Sequence, residues 1–243
     1  IVMVFFDDLE ARSGDERAAE IADALPRQIA RAKALGGYKT TLADITAQDV
    51  NSAMALARLP VLRKSDLSQA QGAASPFGGF TTRTATGFGH IFQSPGPIYE
   101  PGGIEMDWWR MGRFLHACGI GSDDIVQNCF AYHLTPAGMI FESGARAVGA
   151  TVLPAGTGQT ELQVRAAVDI GATAYAGTPD YLKVILDAAD EMGETLHITK
   201  AAVGGGALFP SLRQEYADRG IACLQCYATA DLGNIAYESA AME

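Results

Sequence analysis

A mainly parallel α/β sheet flanked by helices is the fold this sequence predicts, and three observations predict it. The chain has 243 residues, 48% of them hydrophobic, enough to bury a large core. From Ile125 to Tyr227, apolar runs of strand length alternate with helix-length segments that carry apolar residues at helical spacing. The connections between these runs are long enough for crossover helices, which parallel strands require.

Taken in order, Asp7 to Gly36 reads as a helix-rich lead in which Leu9, Ile21, Leu25, Ile29 and Leu35 recur among charged residues and alanine. Gly36-Gly37 stops it, Thr41 to Ala57 offers a short helix, and Leu59-Pro60-Val61 leads into Arg63 to Leu67. Residues 68 to 89 have no strong period and read as loop with short strand pieces. Gln93 to Pro101, which holds three prolines and a glycine, is expected to be a loop. A helix follows from Asp107 to Ala117, with Asp107 as N-cap and Gly119 as the stop. Trp108 and Trp109 are adjacent on it and cannot share a face, so one is expected in the core and the other at its boundary.

The regular part then runs strand, helix, strand. Strands are expected at Ile125 to Tyr132, Thr151 to Leu153, Ala172 to Ala176, Ala201 to Val203 and Ile221 to Tyr227, the last clear one. Helices are expected from Pro136 to Val148, Thr160 to Asp169, Pro179 to Met192 with Gly193 ending it, and Pro210 to Arg219. In such sheets ligands bind outside the carboxyl ends of the strands. Those ends are Ala131-Tyr132-His133, Pro154-Ala155-Gly156, Gly177-Thr178, Gly204-Gly205-Gly206 and Tyr227 to Asp231. Two domains are expected: a helical lead over 1–58 packed on the main domain, and an α/β domain over 59–243.

Composition narrows the function. A net charge of −10, a pI near 4.8 and the lack of any lysine or arginine run argue against nucleic acid and against an anionic membrane surface. No apolar run approaches the roughly 18 residues that span a bilayer, and Ile1 to Phe6 is too short for a signal-peptide core, so the cytoplasm is the expected location. Cys118, Cys129, Cys223 and Cys226 are too few and too spread for a disulfide framework. The lone Cys223-Leu-Gln-Cys226 reads as small core residues of a strand, against a redox pair or half a zinc site. His90, His116 and His197 read as structural or surface residues. No G-x-S-x-G, H-E-x-x-H, Walker-type or dinucleotide-binding glycine motif is present.

The turns, taken together, carry a resemblance. Val126-Gln127-Asn128 with Tyr132, then Val152 to Gly156, Gly158 to Glu161, Thr178 to Tyr181 and Tyr227 to Asp231 resemble, in order and spacing, the phenylacetate-CoA ligases of the adenylate-forming acyl-CoA synthetase superfamily. The resemblance runs from about Leu59 onward. It implies the large N-terminal domain of such an enzyme, incomplete here, with a small C-terminal lid domain beyond the equivalent of Glu243, so a fragment or a shortened paralogue is expected. It implies ATP, magnesium and CoA as substrates or cofactors: an acid and ATP give an acyl-adenylate and pyrophosphate, then the CoA thiol displaces AMP. It also implies a small carboxylic acid as partner and a possible homodimer.

Carried over by position, the resemblance makes Gly204, Gly205 and Gly206 the adenine turn, although glycines after a strand are also an ordinary way into a helix. Tyr227, Ala228, Thr229 and Asp231 resemble Y-G-x-S/T-E, with Tyr227 on adenine and Asp231 on magnesium. Tyr132, His133 and Ala137, with Gly205 and Tyr227, line the acid side; His133 reads equally as a carboxylate contact or as a structural histidine. No catalytic residue is assigned. The phosphate loop resembles S-S-G-T-T-G-K-P, matched here by Ser94, Gly96 and Pro101. Pro95 and Pro97 have no N–H to give, and Glu100 puts a carboxylate where the lysine would be, which argues against ordinary ATP use. Two hypotheses stand: an acyl-CoA ligase, and a non-catalytic module that binds an acid, an acyl-CoA or a nucleotide without adenylation.

Overall fold

The computed structural model describes residues 5–72 and 75–240. The apolar run at 1–6 falls mostly outside them. The chain separates into two compact units, Ile1–Gly103 and Ile104–Glu243.

The first unit opens with α1 (Gly14–Lys33), capped by a box in which the Ser13 hydroxyl accepts from the Glu16 N–H while Glu16 reaches back to the Ser13 N–H. Expected as part of the helical lead, it buries Pro26 and Ile29. The short helix expected between Thr41 and Ala57 is smaller than the pattern implied, a 3₁₀ turn at Ala47–Asp49 and then α2 (Ala53–Leu56). A further helix, α3 (Lys64–Ala70), occupies the Arg63 to Leu67 region and the start of the expected loop.

The expected loop at Gln93 to Pro101 is instead a hairpin. Strand β1 (His90–Ser94) pairs antiparallel with β2 (Ile98–Gly102), Ser94 opposite Ile98, leaving Pro95-Gly96-Pro97 as a three-residue tip. The prolines that argued for a loop are all accommodated: Pro95 and Pro97 lie in the tip and Pro101 in β2, a strand paired among the described residues with β1 alone. Alternation does the rest, since Ile98 and Glu100 are buried while Tyr99 is exposed.

The second unit is the expected parallel sheet. Its strands are β3 (Ile125–Asn128), β4 (Thr151–Leu153), β5 (Ala174–Gly177), β6 (Lys200–Val203), β7 (Ala222–Thr229) and β8 (Gly233–Tyr237), in the order β4-β3-β5-β6-β7-β8. All neighbours pair parallel except β7 with β8. The intervening helices are α4 (Gly112–Ala117) before β3, then α5 (Ala137–Ala147), α6 (Thr160–Ile170), α7 (Pro179–Met192) and α8 (Pro210–Asp218). The order reverses at β3, whose neighbours are β4 on one side and β5 on the other. A crevice at the carboxyl ends of β3 and β5 is the expected ligand position in such a sheet.

Three sequence expectations are corrected here. The first strand ends at Asn128, four residues short of Tyr132. The helix expected from Asp107 begins at Gly112, because Asp107 and Arg110 hold left-handed φ values of 53° and 57°. Asp107 still caps it from a distance, its carboxylate accepting from the Gly112 N–H at 3.0 and 3.1 Å. Burial raises the Asp107 pKa against those hydrogen bonds and against Arg110 and Arg113. Trp109 is buried and Trp108 only partly so, matching the expected split. The third correction is β8, which follows a three-residue turn after Thr229 and pairs back onto β7. Gly233, at φ 72°, closes that turn, and a glycine two residues past Asp231 was the available signal.

Each face of the sheet is covered. Leu182 and Leu186 from α7 and Tyr216 from α8 pack with Tyr175, Ala201, Val203 and Cys223 on one face. On the other, Phe114 of α4 meets Phe141 of α5 edge-on at 6.4 Å, and Phe130 stacks on Phe141 at 4.3 Å. Cys223 and Cys226 are three residues apart in β7, so they point to opposite faces. Cys223 joins the α7 and α8 cluster, while Cys226 lies against Gly204 near Phe141, which excludes a disulfide or shared metal between them. Burial pushes the Cys129, Cys223 and Cys226 thiols up to about 12 and Cys118 well above its usual value. All four are therefore thiols at neutral pH. They are expected to resist alkylation in the native chain at pH 7.5 and to label fully in denaturant; rapid native labelling of Cys223 and Cys226 would contradict this burial.

Candidate functional site at the carboxyl edge of the sheet

The turns singled out by sequence leave the same edge of the parallel sheet, because parallel strands deliver all their carboxyl ends to one side. The turn after β3 carries Tyr132 and His133, the turn after β5 carries Thr178, and the turn after β6 carries Gly204, Gly205 and Gly206. Tyr227, Ala228 and Thr229 are the last residues of β7, and Asp231 sits in the turn to β8. A side chain added at Gly205 would come to 3.6 Å from Phe130 and 3.8 Å from Thr178, so the turns after β3, β5 and β6 converge. Gly205 also needs its φ of 71°. Gly204 is buried, and a Cβ there would meet the Cys226 sulfur at 3.0 Å. Ser94 and Gly96 belong to the hairpin of the first unit.

Amide side chains shape three of these turns. Asn128, buried at the end of β3, donates to the Tyr132 hydroxyl at 2.7 Å and to the Gly138 carbonyl at 2.9 Å, and accepts from the Phe130 N–H at 3.2 Å. That bend ends the strand early and fixes the Tyr132 ring above α5. Gly138 is required there, since a Cβ would lie 2.7 Å from the Ala131 carbonyl oxygen. Gln163, buried on α6, donates to the carbonyls of Gly156 at 3.0 Å and Gly158 at 2.7 Å and accepts from Gln127 at 3.1 Å. Gln225 on β7 donates to the Gly206 carbonyl at 2.7 Å and accepts from the Leu208 N–H at 3.2 Å. Sequence reading gave none of the three a role. The signal was there: a polar residue inside an apolar strand or on the inner face of a helix must find partners.

The expected binding residues differ in what they present. Tyr227 is 63% exposed, so its ring face is available for stacking on a flat ligand. Tyr132 is half-buried, and burial together with nearby Glu142 keeps its hydroxyl protonated despite the bond from Asn128. His133 is exposed, and Ala137 opens α5 beside it. Leu134, next in the same turn, is 64% exposed at a left-handed φ of 59°, an apolar side chain held out to solvent. Asp231 is exposed. Among the described residues no group of three or more His, Cys, Asp or Glu is placed to hold a metal. A single carboxylate suits magnesium only when phosphate oxygens supply further ligands.

The hairpin presents little to an anion. The Ser94 hydroxyl is engaged at 2.5 Å by a carboxylate oxygen of Glu100, and Lys64 pairs with the other oxygen. Of the three tip residues, only Gly96 has an N–H.

This architecture is shared with a solved acyl-CoA ligase. The chain superposes on 2-hydroxyisobutyryl-CoA ligase, solved in complex with 2-HIB-AMP and CoA, with a TM-score of 0.81 at 20% identity, over 89% of this chain and 50% of that one. A second state of the same ligase, the postadenylation state with 2-HIB-AMP, also gives 0.81 at 20% identity, over 90% of this chain and 50% of that one. In sequence, this chain is similar to phenylacetate-coenzyme A ligases. It is 29% identical over 163 residues to the protein of Aromatoleum evansii, a match covering 64% of this chain and 36% of that protein. The protein of Thermus thermophilus is 26% identical over 175 residues, covering 68% of this chain and 38% of that protein. The chain thus spans about half the length of the solved ligase and less of the two sequence relatives. No protein-family model matches it. No described helix is long and apolar enough to cross a membrane.

Proposed function

We propose that this chain carries the nucleotide and acid site of an ATP-dependent acyl-CoA ligase of the phenylacetate type. The observation that supports this most is the delivery of Tyr132, Gly204–Gly206, Tyr227 and Asp231, all named from ordered sequence segments, to one edge of one sheet. In this reading 59–243 is the binding domain and the protein works in the cytoplasm. The chemistry addresses a poor leaving group: a carboxylate oxygen does not depart readily, whereas AMP does. Gly204–Gly206 and Tyr227 take adenine, Asp231 takes magnesium together with phosphate oxygens, and Tyr132, His133 and Ala137 border the acid, which is aromatic or related. CoA thiol then displaces AMP.

A specific feature favours a second reading, in which the chain holds an acid, an acyl-CoA or a nucleotide without adenylating anything. Ser94 and Glu100 satisfy one another and Lys64 in the hairpin that resembles the phosphate loop, so few groups remain for a triphosphate. Calorimetric titration with AMP, then with ATP and magnesium, separates the two. ATP bound at least tenfold more tightly than AMP supports the ligase; AMP bound with no gain for ATP supports the second reading. In either reading, where AMP binds, Tyr227→Ala is expected to weaken it about fivefold, the loss of a stacking contact of roughly 1 kcal/mol. An unchanged AMP affinity in that variant would remove Tyr227 from the site.

A further inference from the structure

The geometry points to Gln225 as a positioning residue for the nucleotide, one that sets the shape of the glycine turn at 204–208 from the neighbouring strand. The inference rests on the reading that this turn takes adenine. Gln225 spans the turn with its two amide atoms: the nitrogen donates to the Gly206 carbonyl at 2.7 Å, and the oxygen accepts from the Leu208 N–H at 3.2 Å. One planar group therefore fixes two backbone groups two residues apart.

Gln225 is itself held. Its backbone N–H donates to the Glu238 carboxylate at 2.8 Å, and its carbonyl accepts from the Glu238 N–H at 2.9 Å. The other Glu238 oxygen takes Arg213 of α8 at 2.7 Å, and Arg213 also donates to the Cys223 carbonyl at 3.1 Å. The turn is thus braced through a strand, an ion pair and a helix. Two residues along β7 from Gln225, on the same face by strand alternation, stands the exposed Tyr227. The strand that offers the stacking ring also carries the amide that sets the turn.

Gly206 is exposed, so water can take its carbonyl when the amide is removed, whereas Leu208 is buried and its N–H reaches water only if the turn loosens. Loss of Gln225 should then cost little global stability and much local order, and a disordered turn must be reordered each time a ligand binds. A merely structural residue would show the opposite balance.

The test uses the 243-residue chain, with AMP as probe. Gln225→Leu removes both hydrogen bonds at similar volume; Gln225→Glu keeps the acceptor for Leu208 and turns the contact with the Gly206 carbonyl repulsive. We expect both variants to bind AMP about tenfold more weakly, with faster amide exchange at Leu208 in Gln225→Leu and a melting temperature close to that of the parent. Parental AMP affinity in both variants would overturn the proposal while leaving the nucleotide site standing, as would unchanged Leu208 exchange. If one variant fails to fold, the other decides. If the parent chain binds no AMP, the reading of the site falls and this proposal falls with it.

Discussion

Replacing Gly233 by alanine is expected to destabilise the second unit by roughly 3–5 kcal/mol, lowering the melting temperature by roughly 10 °C. Two effects add. A Cβ at Gly233 would lie 2.3 Å from the Trp109 carbonyl oxygen and 2.7 Å from its Cα, and both are backbone atoms that cannot swing aside. The residue also holds φ at 72°, where alanine is strained. The contact is central to the β7–β8 turn, because Asn234 next to it donates its N–H to the same Trp109 carbonyl at 2.9 Å, and Trp109 is buried. Gly193→Ala is the matched control. It has a similar φ of 70° but nothing within 4 Å of the added carbon, so it should cost about 1 kcal/mol. Equal losses in the two variants, read by thermal or urea unfolding, would remove the close approach as the cause.

Asp124→Asn is expected to cost roughly 2–4 kcal/mol at pH 7, with the loss shrinking in acid. The carboxylate sits at the amino edge of the sheet, just before β3, and is almost fully buried. Lys200 of β6 donates to it at 2.8 and 3.0 Å, the Thr173 hydroxyl ahead of β5 at 2.8 Å and the Gly121 N–H at 2.8 Å. One side chain thus ties three adjacent strands. Burial acts to raise its pKa, but Lys200, Gly121 and Thr173 outweigh it and hold the carboxyl below its usual range. A depressed folded pKa means stability that is fully present above the unfolded value near 3.9 and lost as pH falls through the folded value. The gap between parent and variant should stay constant from pH 7 to 5 and narrow below about pH 4. A gap of the same size at pH 3 would show that the charge is not what stabilises.

The two ends of the sheet were unequally legible. In the elements that lead to and from the carboxyl edge, Thr151–Leu153 and Pro179–Met192 coincide with the spans read from periodicity, since short apolar runs bounded by Pro and Gly signals leave little choice. The Asp124 ion pair on the other side could not be read, because its members are 76 residues apart and meet only across β5. Gln163 and Gln225 escaped for the same reason, each being an ordinary polar residue until the turn it braces is in place.

Residue order alone sets the alternation of strands and helices, hence a parallel sheet with its turns gathered on one edge, and the residue types those turns offer. Local spacing suffices for that, because helical and strand periods are properties of short segments. Three-dimensional packing alone makes residues 90–102 a hairpin with Glu100 buried against Ser94 and Lys64. It alone also decided that Cys223 and Cys226 face opposite sides of one strand, and that the glycine turn is held by an amide from β7. Each of these depends on which groups satisfy a buried charge, thiol or carbonyl across long sequence separations, and that choice is made by packing rather than by neighbours in the chain.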